Sequence, residues 1–232
     1  MESLACNAIA HLGPDARKAS ENDLLLLAAR KNPADPREMA HRAVANALFE
    51  PFPGTRTPTV LNHSLDAVDR RLLYPAMDSL LQNDDSVPRG ALGPYLPKLS
   101  DRDLAVMLPA IVKAVETMAP SDEMFSDSIR LAGLDLLSRL HICEGMDLCV
   151  STIEWRWGNQ YQKRLEYLKR YGVYAKEVLP QLRNKRSPKH ADGVKNIDKV
   201  IADIEASKET PTLVSLKDFI AKAKAGKPAA RE

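Results

Sequence analysis

Ser100-Asp101-Arg102-Asp103-Leu104-Ala105-Val106-Met107-Leu108-Pro109-Ala110-Ile111-Val112-Lys113-Ala114-Val115 is the stretch that decides the fold. Its opening sets an aspartate three residues after a serine, so that hydroxyl and carboxylate can each cover an orphan amide at a helix start. Leu104, Met107, Leu108, Ile111, Val112 and Val115 then recur at helical spacing and make one broad apolar face. Pro109 falls inside this run. It lacks an amide hydrogen and crowds the preceding turn, which predicts a kink or a break near Leu108. The same leucine-proline step stands in Leu73-Tyr74-Pro75-Ala76 and in Val178-Leu179-Pro180-Gln181. From Pro75 to Pro109 is 34 residues and from Pro109 to Pro180 is 71, which leaves room for one further unit of about 35. Glu144-Gly145-Met146-Asp147-Leu148-Cys149 supplies it, with glycine as the break. A period of this size filled with helical patterns marks helix pairs that bury their apolar faces only by stacking.

A second register supports the repeat. Arg42, Arg89, Arg130 and Arg164 each open a stretch of small residues and leucine that ends ahead of the next break. Ser20-Glu21-Asn22-Asp23 repeats the capping device before the apolar stretch 24–29. Val194, Ile197, Val200, Ile201 and Ile204 form another amphipathic helix, and Leu213, Leu216, Phe219, Ile220 and Ala223 a last one ended by Gly226. Apolar alternation of period two is missing, as are Asn-Gly and Asp-Gly hairpin signals between β-branched runs. The expectation is an all-α fold: a right-handed α-solenoid of four to six HEAT-like helix pairs over residues 1–226, with 227–232 a frayed tail. The proline-rich stretch 50–59 exceeds a usual helix connection and reads as a rigid spacer, with an inserted functional loop as the alternative.

Composition narrows the class without naming a partner. At 44% apolar and 28% charged residues the chain has the make-up of a folded globular protein. The longest apolar stretch beside a capping signal, 24–29, is far short of the roughly 18 to 20 residues of a membrane span. The first residues lack the basic segment and long apolar core of a secretion signal, so the expected location is cytoplasmic by default. Cys6, Cys143 and Cys149 are too few for a disulfide framework and read as reduced, mostly buried thiols.

Two runs, Leu92-Gly93-Pro94-Tyr95-Leu96-Pro97-Lys98-Leu99 and Tyr171-Gly172-Val173-Tyr174-Ala175-Lys176-Glu177-Val178-Leu179-Pro180-Gln181-Leu182, resemble the junctions between the two helices of HEAT-type repeats. More narrowly, residues 61–182, with Asp69-Arg70-Arg71-Leu72-Leu73-Tyr74-Pro75-Ala76 and Arg130-Leu131-Ala132-Gly133-Leu134-Asp135-Leu136-Leu137, are similar to the helical-repeat region of large bacterial proteins in a family of unknown function. Some members of that family are described as acetylesterases. The resemblance implies a helical-repeat fold, and that the chain forms part of a longer solenoid or the non-catalytic arm of a multidomain hydrolase.

Catalytic signals are wanting. An esterase needs an activated nucleophile, a base and oxyanion donors, and the sequence holds no Gly-x-Ser-x-Gly elbow. Ser126 and Ser128 read as the start of a helix over 129–140. His141, Cys143 and Cys149 lack both the paired spacing and the fourth ligand of a structural zinc site, so no metal and no cofactor is expected. The candidate surface is 155–199. Six of the twelve aromatics lie within its first twenty residues, and 160–199 carries eleven Lys/Arg against four Asp/Glu. Trp155, Trp157, Lys163, Arg164, Lys169, Arg170, Arg183, Lys185, Arg186 and Lys189 are its candidate contact residues. Basic and aromatic side chains together suit phosphates and bases, and they are also hot-spot residues of protein interfaces. On the α-helix expected over 160–171 the basic residues can equally be a solvated face. A whole-chain charge of +2 is below the footprint of a nucleic-acid binder. The expected function is therefore a non-catalytic scaffold for a protein or peptide with acidic groups, with a HEAT-like nucleic-acid-binding or repair protein as the alternative.

Overall fold

The computed structural model describes residues 1–30, 39–49, 65, 67–117, 127–155 and 160–226. Among these the chain is all-α, and the one β-type contact is an isolated parallel bridge between Ile142 and Val214. The expected spacer at 50–59 and the tail 227–232 lie outside the described residues. The chain gathers into two compact units, Met1–Ile129 and Arg130–Glu232.

The first unit holds α1 (Glu2–His11), α2 (Pro14–Ala19), α3 (Glu21–Ala29), α4 (Met39–Phe49), α5 (Arg70–Leu81), α6 (Ser86–Ala91), a 3-10 turn (Gly93–Lys98) and α7 (Asp101–Glu116). Its helices pair in two rows. α3 packs on α5 and α5 on α7, while α1 packs on α4 and α4 on α6; α3 against α4 and α5 against α6 tie the rows together. The face read from the sequence is the one that packs: Leu104, Met107, Leu108, Ile111, Val112 and Val115 are all buried.

Of the kink or break expected near Leu108, the break does not occur. α7 runs unbroken through Pro109, and α5 through Pro75. Each proline removes a single amide donor, and in both helices the apolar side chains around it are buried, so packing holds the helix where propensity alone would end it. Gly145 and Pro180 stand elsewhere, as the second residues of α9 (Glu144–Ser151) and α11 (Leu179–Asn184). The four break residues thus share no single helical position.

The start of α7 is a polar knot. Ser100 and Asp103 make the capping box in both directions, and Asp103 also accepts from Arg70 Nε at 3.0 Å and Tyr74 Oη at 2.8 Å, both on α5. Burial pushes the Asp103 carboxyl up, but the bonds from Arg70, Ser100 and Tyr74 outweigh it and hold the group down at about 2. The matching box at Ser20 is not made. Ser20 closes α2 and precedes α3 at once, and its φ of −99° with ψ of 5° lies outside the extended conformation from which a cap oxygen reaches the helix amides.

Three of the four arginines of the register are buried, and Arg42 is half-buried. Arg89, Arg130 and Arg164 are 4%, 3% and 0% exposed, and Arg42 bonds the buried Asp85 carboxylate. Arg89 donates through Nε to the Asn83 carbonyl, just past α5, and through Nη1 to the Thr117 carbonyl, just past α7, at 2.9 Å. Arg17, also fully buried, serves the Ala10 carbonyl in the last turn of α1. Burial lowers the pKa of both Arg17 and Arg89.

The second unit holds α8 (Asp127–Arg139) from Arg130 on, α9, α10 (Tyr161–Lys169), a 3-10 segment (Gly172–Val178), α11, α12 (Ala191–Ala206) and α13 (Leu216–Lys224). α9 packs on α10, α10 on α12, and the 3-10 segment touches α9, α10, α11 and α12. Leu213 lies ahead of α13, which starts instead at the Ser215 cap.

Two outcomes follow for stability. Asp103→Ala strips the knot and lowers unfolding free energy by roughly 3 kcal/mol at pH 7. Because the folded carboxyl titrates below its unfolded value of 3.8, its contribution is complete above pH 5 and is lost as pH falls toward 2. Urea unfolding at pH 5 and pH 2.5 should show this loss, about 2 kcal/mol when complete, in the parent and not in Asp103→Asn. Arg89→Ala removes a donor from the buried Asn83 carbonyl and from the Thr117 carbonyl at the end of α7 and lowers stability by about 3 kcal/mol; an unchanged urea midpoint would contradict that role.

Candidate functional site

Charge separates along the chain. Residues 130–232 carry twenty Lys/Arg and thirteen Asp/Glu, a net +7, and residues 1–129 carry thirteen and eighteen, a net −5, which together give the +2 of the whole. The basic excess is concentrated in α10, α11 and the connections between Lys169 and Ala191, where most of the candidate contact residues fall, while α12 itself carries two lysines against four carboxylates.

Trp155 is the organising side chain. It is half-buried, its Nε1 donates to the Lys185 carbonyl at 2.7 Å, and its ring stacks on His190 at 5.1 Å with planes 16° apart. Tyr161 leans on the same indole at 4.9 Å, and its hydroxyl accepts from Asn196 Nδ2 at 2.9 Å. Gly193 on α12 admits the indole, since a Cβ there would collide with the ring. Lys185 closes the arrangement by donating from Nζ to the Ser151 and Ile153 carbonyls at 3.0 and 3.1 Å, at the end of α9.

The basic residues do not form one free surface. Arg164 is a correction: it is fully buried and donates through Nε to Thr152 Oγ1 at 3.0 Å, so it cannot meet a partner. The reason lies in the spacing, which sets Arg164 on the apolar stripe with Leu165 and Leu168. Arg170 bonds Asp135 at 2.7 Å and Ser138 at 2.9 Å and lies over the Tyr167 ring. Lys169 pairs with Glu166 at 3.0 Å and Asp203 at 3.5 Å, and the bond to Glu166 raises its pKa. Arg183 pairs with Glu205 at 2.6 Å and Arg186 with Asp198 at 2.7 Å, both on α12. Lys163 and Lys189 are exposed and make no ion pair among the described residues. Trp157 lies outside the described residues.

A broad open cleft of about 700 Å³ lies against the end of α12, with Lys169 and Lys208 facing Asp203 and Glu209. Two cations against two carboxylates leave no net charge there to draw an anion. The thiols are not activated. Burial pushes Cys149 up to about 12 and raises Cys143, whose Sγ donates to Glu144 Oε2 at 3.3 Å, whereas a nucleophilic cysteine needs its pKa lowered. Among the described residues no three His, Cys, Asp or Glu side chains gather as metal donors, and no helix is long and apolar enough to cross a membrane.

The chain was compared with protein-family models, curated proteins and solved structures, and none of them matches it.

The sequence reading includes Trp155 and Tyr161 in its aromatic cluster but misses His190 and Gly193. The available signal was the glycine inside an amphipathic helix, which marks a close approach. Gly193→Ala should displace the indole, red-shift tryptophan emission and lower stability by about 1 to 3 kcal/mol; unchanged emission would show that the ring does not rest there.

Proposed function

We propose that the chain is a non-catalytic helical-repeat scaffold whose second unit receives a protein or peptide with acidic groups. The two rows of paired helices in the first unit support a HEAT-like stack as its architecture, which we take as right-handed. A stack of this kind works by display. Helices fixed by packing hold spaced side chains in place, so a partner orders little of the scaffold on binding.

The observation that carries the reading is the pair Lys163 and Lys189. They are exposed cations without an acidic neighbour in ion-pair range among the described residues, in the part of the chain with the greatest basic excess. Arg183 and Arg186 are held by Glu205 and Asp198, so their charge is largely balanced locally. Lys189 adjoins His190, which stacks on Trp155, so a cation and a half-exposed aromatic pair stand together. Neighbouring aromatic and cationic residues suit an acidic peptide that also carries an apolar or aromatic residue.

Lys163→Glu with Lys189→Glu tests this without breaking an internal ion pair. Fluorescence anisotropy is read with an acidic peptide carrying one tryptophan and with random-sequence DNA, each at two salt concentrations. The double variant should keep the parent's thermal midpoint and lose about tenfold in peptide affinity, on the order of 1.4 kcal/mol. DNA binding that falls steeply with salt, with no peptide binding, would replace the scaffold by a nucleic-acid-binding protein.

A further inference from the structure

After α12 the chain leaves helix for nine residues, Ser207 to Ser215, before α13 begins. This strap is extended and joined to the rest of the second unit mainly through backbone. The Glu209 carbonyl accepts from Val173 N at 2.9 Å, Val214 N donates to the His141 carbonyl at 3.1 Å, and the Val214 carbonyl accepts from Cys143 N at 3.0 Å. Leu216 N then donates to both oxygens of the Glu144 carboxylate at 3.0 Å, and Ser215 caps α13 on Asp218 N.

The receiving groove is built by residues that precede the strap. Ile142 is held from behind: its amide donates to the Leu137 carbonyl at 2.9 Å, and its carbonyl accepts from Tyr171 Oη at 3.0 Å and from Gly145 N at 2.9 Å. Gly172 has a φ of +56°, and any side chain there would collide with the Glu209 carbonyl. The strap approaches so closely only because this position is glycine.

The arm itself is lightly held. Phe219 is the single buried residue of α13, and among the described residues α13 pairs extensively with no other helix. Between the two anchored points, Glu209 and Val214, run Thr210, Pro211, Thr212 and Leu213, none of which is fully buried. The groove is thus an extended-peptide site already filled by this chain, and each anchor, whether backbone group, Glu144 carboxylate or Phe219 ring, recurs unchanged in every copy.

We propose that residues 214–226 form an exchangeable arm and that the groove of His141 to Glu144 binds the arm of a second copy of this chain, while Glu209 stays on Val173 of its own copy. Exchange repeats in trans the bonds made in cis and needs no new contact; only the path of 210–213 changes. This inference stands apart from the reading of the basic face, because it uses neither Lys163 nor Lys189.

The experiment shortens the hinge. Deleting Pro211 and Thr212 from the full chain cuts the connection between the Glu209 and Val214 anchors from four residues to two, which works against the path in cis and does not hinder a second copy. Light scattering after size exclusion should report a dimer, and Phe219→Ala with Val214→Pro in the same background should return it to monomer. A monomeric deletion variant, or a dimer indifferent to those two changes, overturns the proposal. Should the deletion not fold, the full-length chain with Phe219→Ala and Val214→Pro, its own arm released, is titrated with a labelled peptide of residues 209–226. Saturable binding that weakens at least tenfold when the peptide carries Phe219→Ala is expected; absence of saturable binding overturns the proposal.

Discussion

Helix ends set the main constraint on this molecule. A chain cut into many short helices leaves carbonyls without helical donors at every turn, and compact packing takes those turns out of water. Arginine is the answer used repeatedly. Arg17 reaches the end of α1, Arg89 the ends of α5 and α7, and Arg164 the Thr152 hydroxyl past α9. Guanidinium suits this work because it presents several donors in a fixed fork on a long apolar stem. Lys185 does the same for the end of α9 with an ammonium. Part of the positive charge is therefore internal equipment, and the count of basic residues overstates what the surface offers.

That distinction separates what was legible in the sequence from what was not. The apolar face of α7 and its Ser100 cap were legible because periodicity and capping are local, and the structure keeps both. The Ser20 cap used the same letters and failed, since one residue joining two helices cannot take the extended conformation a cap requires. Pro109 does not end its helix, because tertiary packing overrides a local breaker. Arg164 was misread as solvated although it occupies the register of Leu165 and Leu168. Position on the stripe, more than residue type, carried the information.

The candidate surface shows the same limit. Trp155 was visible as an aromatic in a basic stretch, but its partners His190, Gly193 and the Lys185 carbonyl come from thirty residues or more downstream. No short-range pattern brings such groups together. The ion pairs of Arg183 and Arg186 with α12 likewise depend on how α11 and α12 pack, and exposed pairs of this kind add little to stability. They do decide which cations remain available outward.

The cysteines lead to a different use of the structure. Cys6 is buried in the first unit and Cys149 in the second. Alkylation of either thiol requires local opening and then ionisation, and burial holds back both steps. Each unit thus contains an internal clock: reagent uptake at Cys6 times the opening of one and uptake at Cys149 the opening of the other, with peptide mapping to tell them apart. Cys143, half-buried next to the strap, reports a third and more local event.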